Sequence, residues 1–263
     1  MDALSAEQRE SWNRDGFFFE RAFARPELLA EMQARIIEMA RTQAAGGSIG
    51  DAYVVPEQQI AHGARQPEEA LSKVFRLHRQ ERVFERFARD PRILDRIQSL
   101  LGEDLDCFLS QFIFKLPGAL GQPWHQDGFY FPFDRGPQVG VWLAVTEAEL
   151  DNGPLWVLPG SHTEAVHDVV RDPRAHANFA YVEIVDHDMS AAVPVLMEAG
   201  DALFFHSHLM HKSTDNGSDR KRAAMVVHYG EADSIDRSRE RFGFTPPNID
   251  WMPVRRGGRP ATS

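Results

Sequence analysis

The chain has 263 residues, of which 43% are hydrophobic and 26% are charged, a globular composition with enough length to bury a large core. Its formal net charge of -10 excludes the positive footprint that a nucleic-acid binder needs. The single cysteine, Cys107, excludes an intrachain disulfide, and no apolar run approaches the ~20 residues of a membrane span. The polar N-terminus also lacks the apolar core of a signal peptide, so we expect a cytoplasmic protein without membrane or nucleic-acid partners.

The first hundred residues predict helices. Ser5 and Gln8 have the spacing of a capping box at a helix start. A second helix has proline in its first turn, and its apolar residues recur at helical spacing. A third helical stretch is predicted over residues 67–88, so we expect a helical N-terminal part over about residues 1–103. The four predicted helices start near Ser5, Pro26, Pro67 and Asp90.

From about residue 104 the pattern changes to short runs rich in Val, Phe, Leu and Trp, separated by Pro, Gly, Asn and Asp. Such runs predict strands of roughly five to eight residues, and their spacing favours an antiparallel sandwich or barrel over βαβ units. The chain is therefore predicted to be mainly β with N-terminal helices, in a single domain over residues 1–263. Within it, a β core extends over about residues 104–232, followed by an irregular C-terminal extension over residues 233–263.

The stretch QPWHQDGFYF places an imidazole, His125, two residues before a carboxylate, Asp127. Side chains two apart in a strand point to the same face, so this pair is suited to chelating one metal ion. Rival metal-compatible pairs occur at His162–Glu164 and His206–His208. Because His162 follows the turn signature LPGS, we expect it to have a structural role rather than bind metal.

A third candidate ligand occurs in the string GDALFFHSHLMHKSTDNGSDRKRAA. There His211 lies beyond the end of a predicted strand, and Arg222 follows eleven residues later. Two histidines and one carboxylate form a facial triad that leaves about three of six positions on Fe(II) open for a 2-oxo acid and O2. A dicarboxylate cosubstrate then needs a cation for its far carboxylate, and the planar fork of Arg222 suits that role. Ser213 has a hydroxyl for the same carboxylate.

This order of H-x-D, distant His and Arg resembles the phytanoyl-CoA dioxygenase family of Fe(II)/2-oxoglutarate oxygenases, in particular the phytanoyl-CoA dioxygenase domain-containing proteins. The surrounding strings agree: FKLPG, PWHQD, VWLAV, NGPLWVLPGSH, GDALFFH and HKSTDNGSDRKR. The resemblance is tight over residues 110–229 and looser around WNRDGFFFER. It implies a double-stranded β-helix, the jelly-roll fold of cupin-like proteins, with the metal site at its open mouth.

The resemblance also implies roles for individual residues. It implies that His125, Asp127 and His211 bind Fe(II), and that Arg222 and Ser213 bind the far carboxylate of 2-oxoglutarate. Relatives also contact this cosubstrate through a lysine, a tryptophan and a methionine. In this sequence those positions correspond to Lys73, Trp142 and Phe112, the last replacing the methionine.

The chemistry implied by the resemblance consumes O2 and 2-oxoglutarate, releases succinate and CO2, and hydroxylates an aliphatic carbon. A carboxylate at Asp127 favours hydroxylation, because halide-transferring relatives carry Ala or Gly at that position. The aromatic residues that follow it predict an apolar mouth, and hence a small-molecule substrate with an apolar portion. The predicted mouth residues are Phe129, Tyr130, Phe131 and Gln111, with Lys115 a further candidate for lining the site.

Two other classes of function fit parts of this pattern. A cupin-type metal enzyme that does not use 2-oxoglutarate would keep the triad but have no use for Arg222 and Ser213. A catalytically silent jelly-roll binding protein would be marked by loss of a metal ligand, whereas all three ligands are present.

Overall fold

A computed structural model describes residues 3–57 and 65–261 of the chain. The α-helices within these ranges are α1 (Ala6–Asp15), α2 (Pro26–Ala44), α3 (Arg82–Ala88), α4 (Pro91–Leu101) and α5 (Ser238–Phe242). The predicted capping box of α1 is confirmed, because the Gln8 N–H donates to Ser5 Oγ and the Ser5 N–H donates to the Gln8 side chain. Pro26 opens α2 and Asp90 caps α4, also as predicted. None of the described helices combines the length and apolar character needed to cross a bilayer.

Antiparallel strands form the rest of the fold. The described strands are β1 (Phe17–Glu20), β2 (Tyr53–Pro56), β3 (Leu71–Phe75), β4 (Leu105–Lys115), β5 (Val139–Ala144), β6 (Leu155–Val157), β7 (Val170–Arg171), β8 (Val182–Glu183), β9 (Val193–Val195), β10 (Ala202–His206), β11 (His211–Ser213), β12 (Arg222–Glu231), β13 (Met252–Arg256) and β14 (Arg259–Pro260). The main sheet has the order β1-β10-β5-β12-β4-β13-β14, with β3 also paired to β4 and β2 to β3. A smaller sheet has the order β11-β6-β9, and β7 pairs with β8.

The main sheet is buried on both faces. One face packs against the N-terminal helices through a cluster that includes Ile36, Phe84, Phe112, Phe204 and Met225. The other face packs against the smaller sheet through a cluster that includes Trp142, Leu155, Val195, Leu203 and Val226. The prediction of a mainly β protein with N-terminal helices is therefore confirmed, and the space between the two sheets is where a site can form.

The N-terminal part is less helical than predicted, because the helix expected over residues 67–88 is wrong in its first half. Pro67–Ala70 form one 3-10 turn, and Leu71–Phe75 form β3, which pairs with β2 and β4. Leu71 and Val74 lie at helical spacing, yet both are buried as parts of a strand. The backbone N–H and C=O groups along the edge of β4 need partners, and β3 supplies them, so tertiary pairing overrides the local spacing.

The C-terminal extension is also more regular than predicted. It contains α5 and the strands β13 and β14, and β13 pairs with β4, with Met252 opposite Cys107. Met252 and Val254 are buried while Pro253 between them is exposed, which is the alternation of an edge strand. The segment therefore covers the other half of the β4 edge that β3 leaves open.

Candidate active site

Two backbone hydrogen bonds bring the first and third candidate ligands together. The N–H of His125 donates to the carbonyl of His211 and the reverse bond is also formed, both at 2.9 Å. Their ring centroids are 4.1 Å apart. His125 is a single bridge residue and Asp127 begins a 3-10 turn, Asp127–Phe129, so the prediction that both lie on one strand is wrong. The turn nevertheless leaves the carboxylate beside both imidazoles.

The three candidate ligands form a compact buried cluster. Oδ1 of Asp127 lies 3.6 Å from Nε2 of His125 and 3.8 Å from Nε2 of His211, and one ligand atom from each residue lies within 4.8 Å of the other two. The Nδ1 atoms of the two histidines lie 2.7 Å from the carbonyl of Pro123 and 2.9 Å from that of Leu209. Because carbonyls only accept, each Nδ1 donates, and the Nε2 atom of each ring faces Asp127. Such an arrangement suits a cation between them.

His228 on β12 completes this cluster, although no sequence pattern singled it out. Its Nε2 donates to Oδ2 of Asp127 at 2.9 Å, which leaves Oδ1 of that carboxylate facing the two histidines. Its Nδ1 is buried without a hydrogen-bond partner among the described residues. The sequence did contain a usable signal: His228 lies six residues after Arg222 in the same strand, and an even spacing places both on one face.

Burial governs the charges of the cluster. It lowers the pKa of His125 to about 3, and the charge of His211 acts in the same direction. Burial alone would raise the pKa of Asp127, but the charge of His211 and the hydrogen bond from His228 hold that pKa below its usual range. At neutral pH His125 is therefore neutral and Asp127 ionised, which are the states that bind a metal ion.

Two buried cations lie in the same part of the molecule. Nζ of Lys115 donates to Oγ of Ser213 at 2.7 Å and to the carbonyl of Thr214 at 2.5 Å. Arg222 is only 2% exposed, and its Nη2 donates to the carbonyl of Gly153 at 2.9 Å. Its Nε and Nη1 are buried without a hydrogen-bond partner in the described part of the chain. Burying a guanidinium with unsatisfied donors costs folding free energy unless an anion accepts hydrogen bonds from it.

Burial is the main cause of a lowered pKa at both cations. Burial lowers the pKa of Arg222 to about 10. Burial also lowers the pKa of Lys115 well below its usual value, and the charge of Arg222 adds to the effect. The guanidinium carbon of Arg222 lies 5.3 Å from the ring centroid of Trp142, so the two side chains form a cation–π contact. The free donors of Arg222 therefore suit a carboxylate or another planar anion.

The predicted cosubstrate residues Ser213 and Lys73 both lie near this pocket. Ser213 is two residues after the third triad member on β11 and accepts from Lys115. Lys73 lies on β3 rather than on a helix, and its Nζ lies 5.1 Å from the ring centroid of Tyr181. Its positive charge contributes to lowering the pKa values of His125 and Lys115, so it lies within electrostatic range of both.

Phe112 lies on the helix side of the main sheet, so its predicted contact with the cosubstrate remains a prediction that its packing does not favour. Its ring packs edge-on against Phe84 of α3 and Phe114, on the helix side of the main sheet. Alternation along β4 directs Gln111 and Ile113 to the opposite face, where Ile113 packs into the cluster between the sheets. Gln111, and not Phe112, therefore has the orientation that a pocket residue on this strand needs.

The predicted mouth residues divide into two groups. Tyr130 lies edge-on to His125, with ring centroids 5.9 Å apart, and Phe131 lies edge-on to His228 at 5.1 Å. Phe129 instead packs against the aromatic end of α5. Tyr130 and Phe131 thus contact the ligand cluster directly, whereas Phe129 contributes to packing of the C-terminal helix.

The rival histidines lie outside the triad. His162 and His206 pack edge-on with ring centroids 5.4 Å apart, and His206 also packs on Trp12 of α1 at 5.7 Å. His208 lies next to His206, at 5.2 Å. Among the described residues, none of these histidines belongs to a cluster with Asp127 that is suited to a metal.

Comparison with known proteins gives a consistent result. The chain is 31% identical over 198 residues to phytanoyl-CoA dioxygenase domain-containing protein 1 of Danio rerio, covering 72% of this chain and 64% of that protein. It is 28% identical over 241 residues to the peroxisomal phytanoyl-CoA dioxygenase of Rattus norvegicus, covering 88% of this chain and 70% of that protein. The chain therefore spans slightly less than two thirds of the length of the Danio rerio relative.

A solved structure with the same fold is that of the epimerase SnoN in complex with Fe3+, alpha ketoglutarate and nogalamycin RO. Its TM-score is 0.69 at 22% identity, over 98% of this chain and 95% of that one. The family model of phytanoyl-CoA dioxygenase (PhyH) matches residues 12–224. This range includes His125, Asp127 and His211 but not His228. By this match over most of its length, the chain belongs to the phytanoyl-CoA dioxygenase family.

Proposed function

We propose that the chain is an Fe(II)- and 2-oxoglutarate-dependent dioxygenase. The observation that carries this proposal is the convergence of three buried donors, His125, Asp127 and His211, together with a buried guanidinium, that of Arg222, whose Nε and Nη1 have no hydrogen-bond partner among the described residues. A metal ion accounts for the donors alone, and the buried cation requires an anion as well. A dicarboxylic 2-oxo acid accounts for both, because one end chelates the metal and the other accepts hydrogen bonds from arginine.

In this proposal one set of residues binds the metal ion and another set binds the cosubstrate. His125, Asp127 and His211 would hold Fe(II), and the hydrogen bond from His228 would keep Asp127 oriented. Arg222, with Ser213 and Lys115, would bind the far carboxylate of 2-oxoglutarate. When bound, the iron with O2 and 2-oxoglutarate supplies the oxidising chemistry, which yields succinate and CO2 and oxygenates the substrate. The Fe3+ and alpha ketoglutarate named for SnoN support this pairing of ligands.

We further propose that the substrate is a small molecule with an apolar portion, hydroxylated at an aliphatic carbon. Tyr130 and Phe131 support this, because their rings contact the ligand cluster and give it an apolar border. The name of the Rattus norvegicus relative gives phytanoyl-CoA as its substrate, and SnoN was solved in complex with nogalamycin RO. Both compounds have an apolar portion. The two facing sheets support assignment as a double-stranded β-helix in one domain over residues 1–263.

The test is succinate release by the full chain supplied with Fe(II), 2-oxoglutarate, O2 and a library of small metabolites. We expect one compound class to stimulate succinate release and to gain one oxygen atom by mass spectrometry. Asp127→Ala should abolish the release, whereas Asp151→Ala, which alters an exposed salt bridge to Arg220, should not. A product of unchanged mass with altered stereochemistry would replace hydroxylation by epimerisation, the reaction in the name of SnoN.

Other outcomes would favour the alternative functions. Metal binding with turnover that is independent of 2-oxoglutarate would indicate a cupin-type enzyme of another kind. Binding of a small molecule without turnover under every condition would indicate a silent binding protein. Succinate release retained by Asp127→Ala would show that the ligand assignment is wrong.

A further inference from the structure

A second cluster of metal-compatible side chains lies outside the proposed iron site. It consists of Glu164, His167 and His187, which offer ligand atoms within 4.8 Å of one another. Nε2 of His167 lies 2.9 Å from Oε2 of Glu164, and Nε2 of His187 lies 3.2 Å from the same oxygen. The three side chains are 24%, 39% and 21% exposed for His167, Glu164 and His187, so the cluster is half-buried with access from solvent.

The contacts of His187 fit a proton or a metal ion between its ring and Glu164. Its Nδ1 lies 3.1 Å from the carbonyl of Asp188, which can only accept, so Nδ1 carries a proton. In a neutral ring Nε2 then has a lone pair, and that lone pair faces the carboxylate of Glu164. Lone pairs repel a carboxylate unless a proton or a metal ion lies between them. His125 and His211 show the same arrangement at the proposed iron site, with Nδ1 on a carbonyl and Nε2 toward a carboxylate.

The three side chains together match a known type of metal site. Two imidazoles and one carboxylate form a donor set typical of zinc sites, with the fourth position left to water. Harder cations such as Ca2+ and Mg2+ prefer oxygen ligands and would be bound poorly.

The position of the cluster suggests what a bound ion would do. Its ligands come from both ends of a long segment whose described strands, β7 and β8, have two residues each. The His167 N–H donates to Oε1 of Gln126 at 2.8 Å, and the Ile184 N–H donates to the carbonyl of Trp124 at 2.8 Å. Both ends are therefore attached to the stretch that carries His125 and Asp127. An ion that joins the ends would close this long loop where few backbone bonds hold it.

We propose that Glu164, His167 and His187 bind a zinc-type divalent ion. The ion holds the segment over residues 164–187 against the stretch that carries His125 and Asp127. The ion is structural and distinct from the proposed iron. The assignment does not depend on the oxygenase activity, since it concerns other residues and is tested by metal binding alone.

The test is calorimetric titration of the chelator-stripped full chain with Zn2+, in which the proposed iron site also accepts zinc. We expect two equivalents for the unaltered chain, one for Asp127→Ala, one for His187→Gln and none for the double variant. Loss of a direct ligand should weaken the second site by more than the roughly 10–100-fold that loss of an outer partner causes. Zn2+ should also raise the melting temperature of Asp127→Ala, and His187→Gln should remove that increase.

The matched control is His176→Gln, an exposed histidine on the same segment, which should leave both equivalents intact. Circular dichroism and the melting temperature without metal establish that His187→Gln is folded. Two equivalents retained by His187→Gln, or no zinc bound by folded Asp127→Ala, would overturn the proposal and leave Glu164 as a simple hydrogen-bond acceptor for the two imidazoles.

Discussion

Nε2 of His228 donates to Oδ2 of Asp127 at 2.9 Å, in a buried contact that joins the last strand of the β core to the proposed metal ligand. This bond determines which carboxylate oxygen remains for a metal, because Oδ1 faces the two triad histidines while Oδ2 is occupied. Partners of this kind hold a ligand in place before the ion arrives, and they influence affinity without touching the ion.

His228→Ala should therefore weaken metal binding by about 10–100-fold without abolishing it. The reason is that Asp127 keeps its charge but loses the bond that orients it. The measurement is anaerobic titration with Fe(II) or Co2+. His78→Ala is the control, since His78 is also fully buried but bonds to Ser110 and Asp250. Equal metal affinity in the two variants would show that the contact with Asp127 has no positioning role.

Arg222→Gln should raise the KM for 2-oxoglutarate by about ten- to 150-fold, because a charged hydrogen bond contributes roughly 1.5–3 kcal/mol. Succinate release at varied 2-oxoglutarate measures the effect. Arg220→Gln is the matched control, two residues away, where the guanidinium is exposed and pairs with Glu149 and Asp151. A KM shift no larger than that of the control would remove Arg222 from the cosubstrate site.

Phe112→Ala should cost about 3–5 kcal/mol of unfolding free energy, as a large ring is removed from a fully buried position. Because the ring lies on the helix side of the main sheet, the KM for 2-oxoglutarate should stay unchanged in the folded fraction. Urea denaturation measures the free energy of unfolding, and steady-state kinetics measure the KM for 2-oxoglutarate. A large KM increase with little loss of stability would place Phe112 back at the cosubstrate pocket.

The stability of the metal-free chain should fall as the pH is lowered from about 6.5 to about 3, in part through His206. Burial lowers the pKa of His206 to about 3 from the ordinary histidine value of 6.5, and the charges of His208 and His162 add to this effect. Between these values the unfolded chain binds a proton that the folded chain does not, so protonation favours unfolding; above about 6.5 the contribution is fully present.

His206→Gln should make the pH dependence of the unfolding free energy shallower over this range. Urea denaturation at several pH values measures the slope, and His176→Gln, an exposed histidine, is the control that should leave it unchanged. A slope equal to that of the unaltered chain would show that His206 binds its proton equally well in the folded and unfolded states.

The sequence by itself determined the features that depend on neighbours along the chain. The start of α1 followed from Ser5 and Gln8, and that of α4 from Asp90 before Pro91, because capping involves groups within three residues of each other. The order of His125, Asp127 and the later arginine also pointed to the right family, since spacing between chemical groups is written in the sequence.

Only the tertiary structure decided which face each strand residue occupies and which distant groups meet. Every residue of β12 except the last is buried, so the even spacing of Arg222 and His228 shows that they share a face, but no alternation of apolar and polar residues shows which partner that face meets. The same two-sided burial of the main sheet leaves no sign in the sequence that Phe112 turns toward the helices while its neighbour Ile113 turns toward the smaller sheet. Strand β3 likewise exists because the edge of β4 requires partners. These features depend on pairing between strands that are distant in the sequence. The stability of such pairing comes from contacts between two segments, so neither segment's own sequence specifies it.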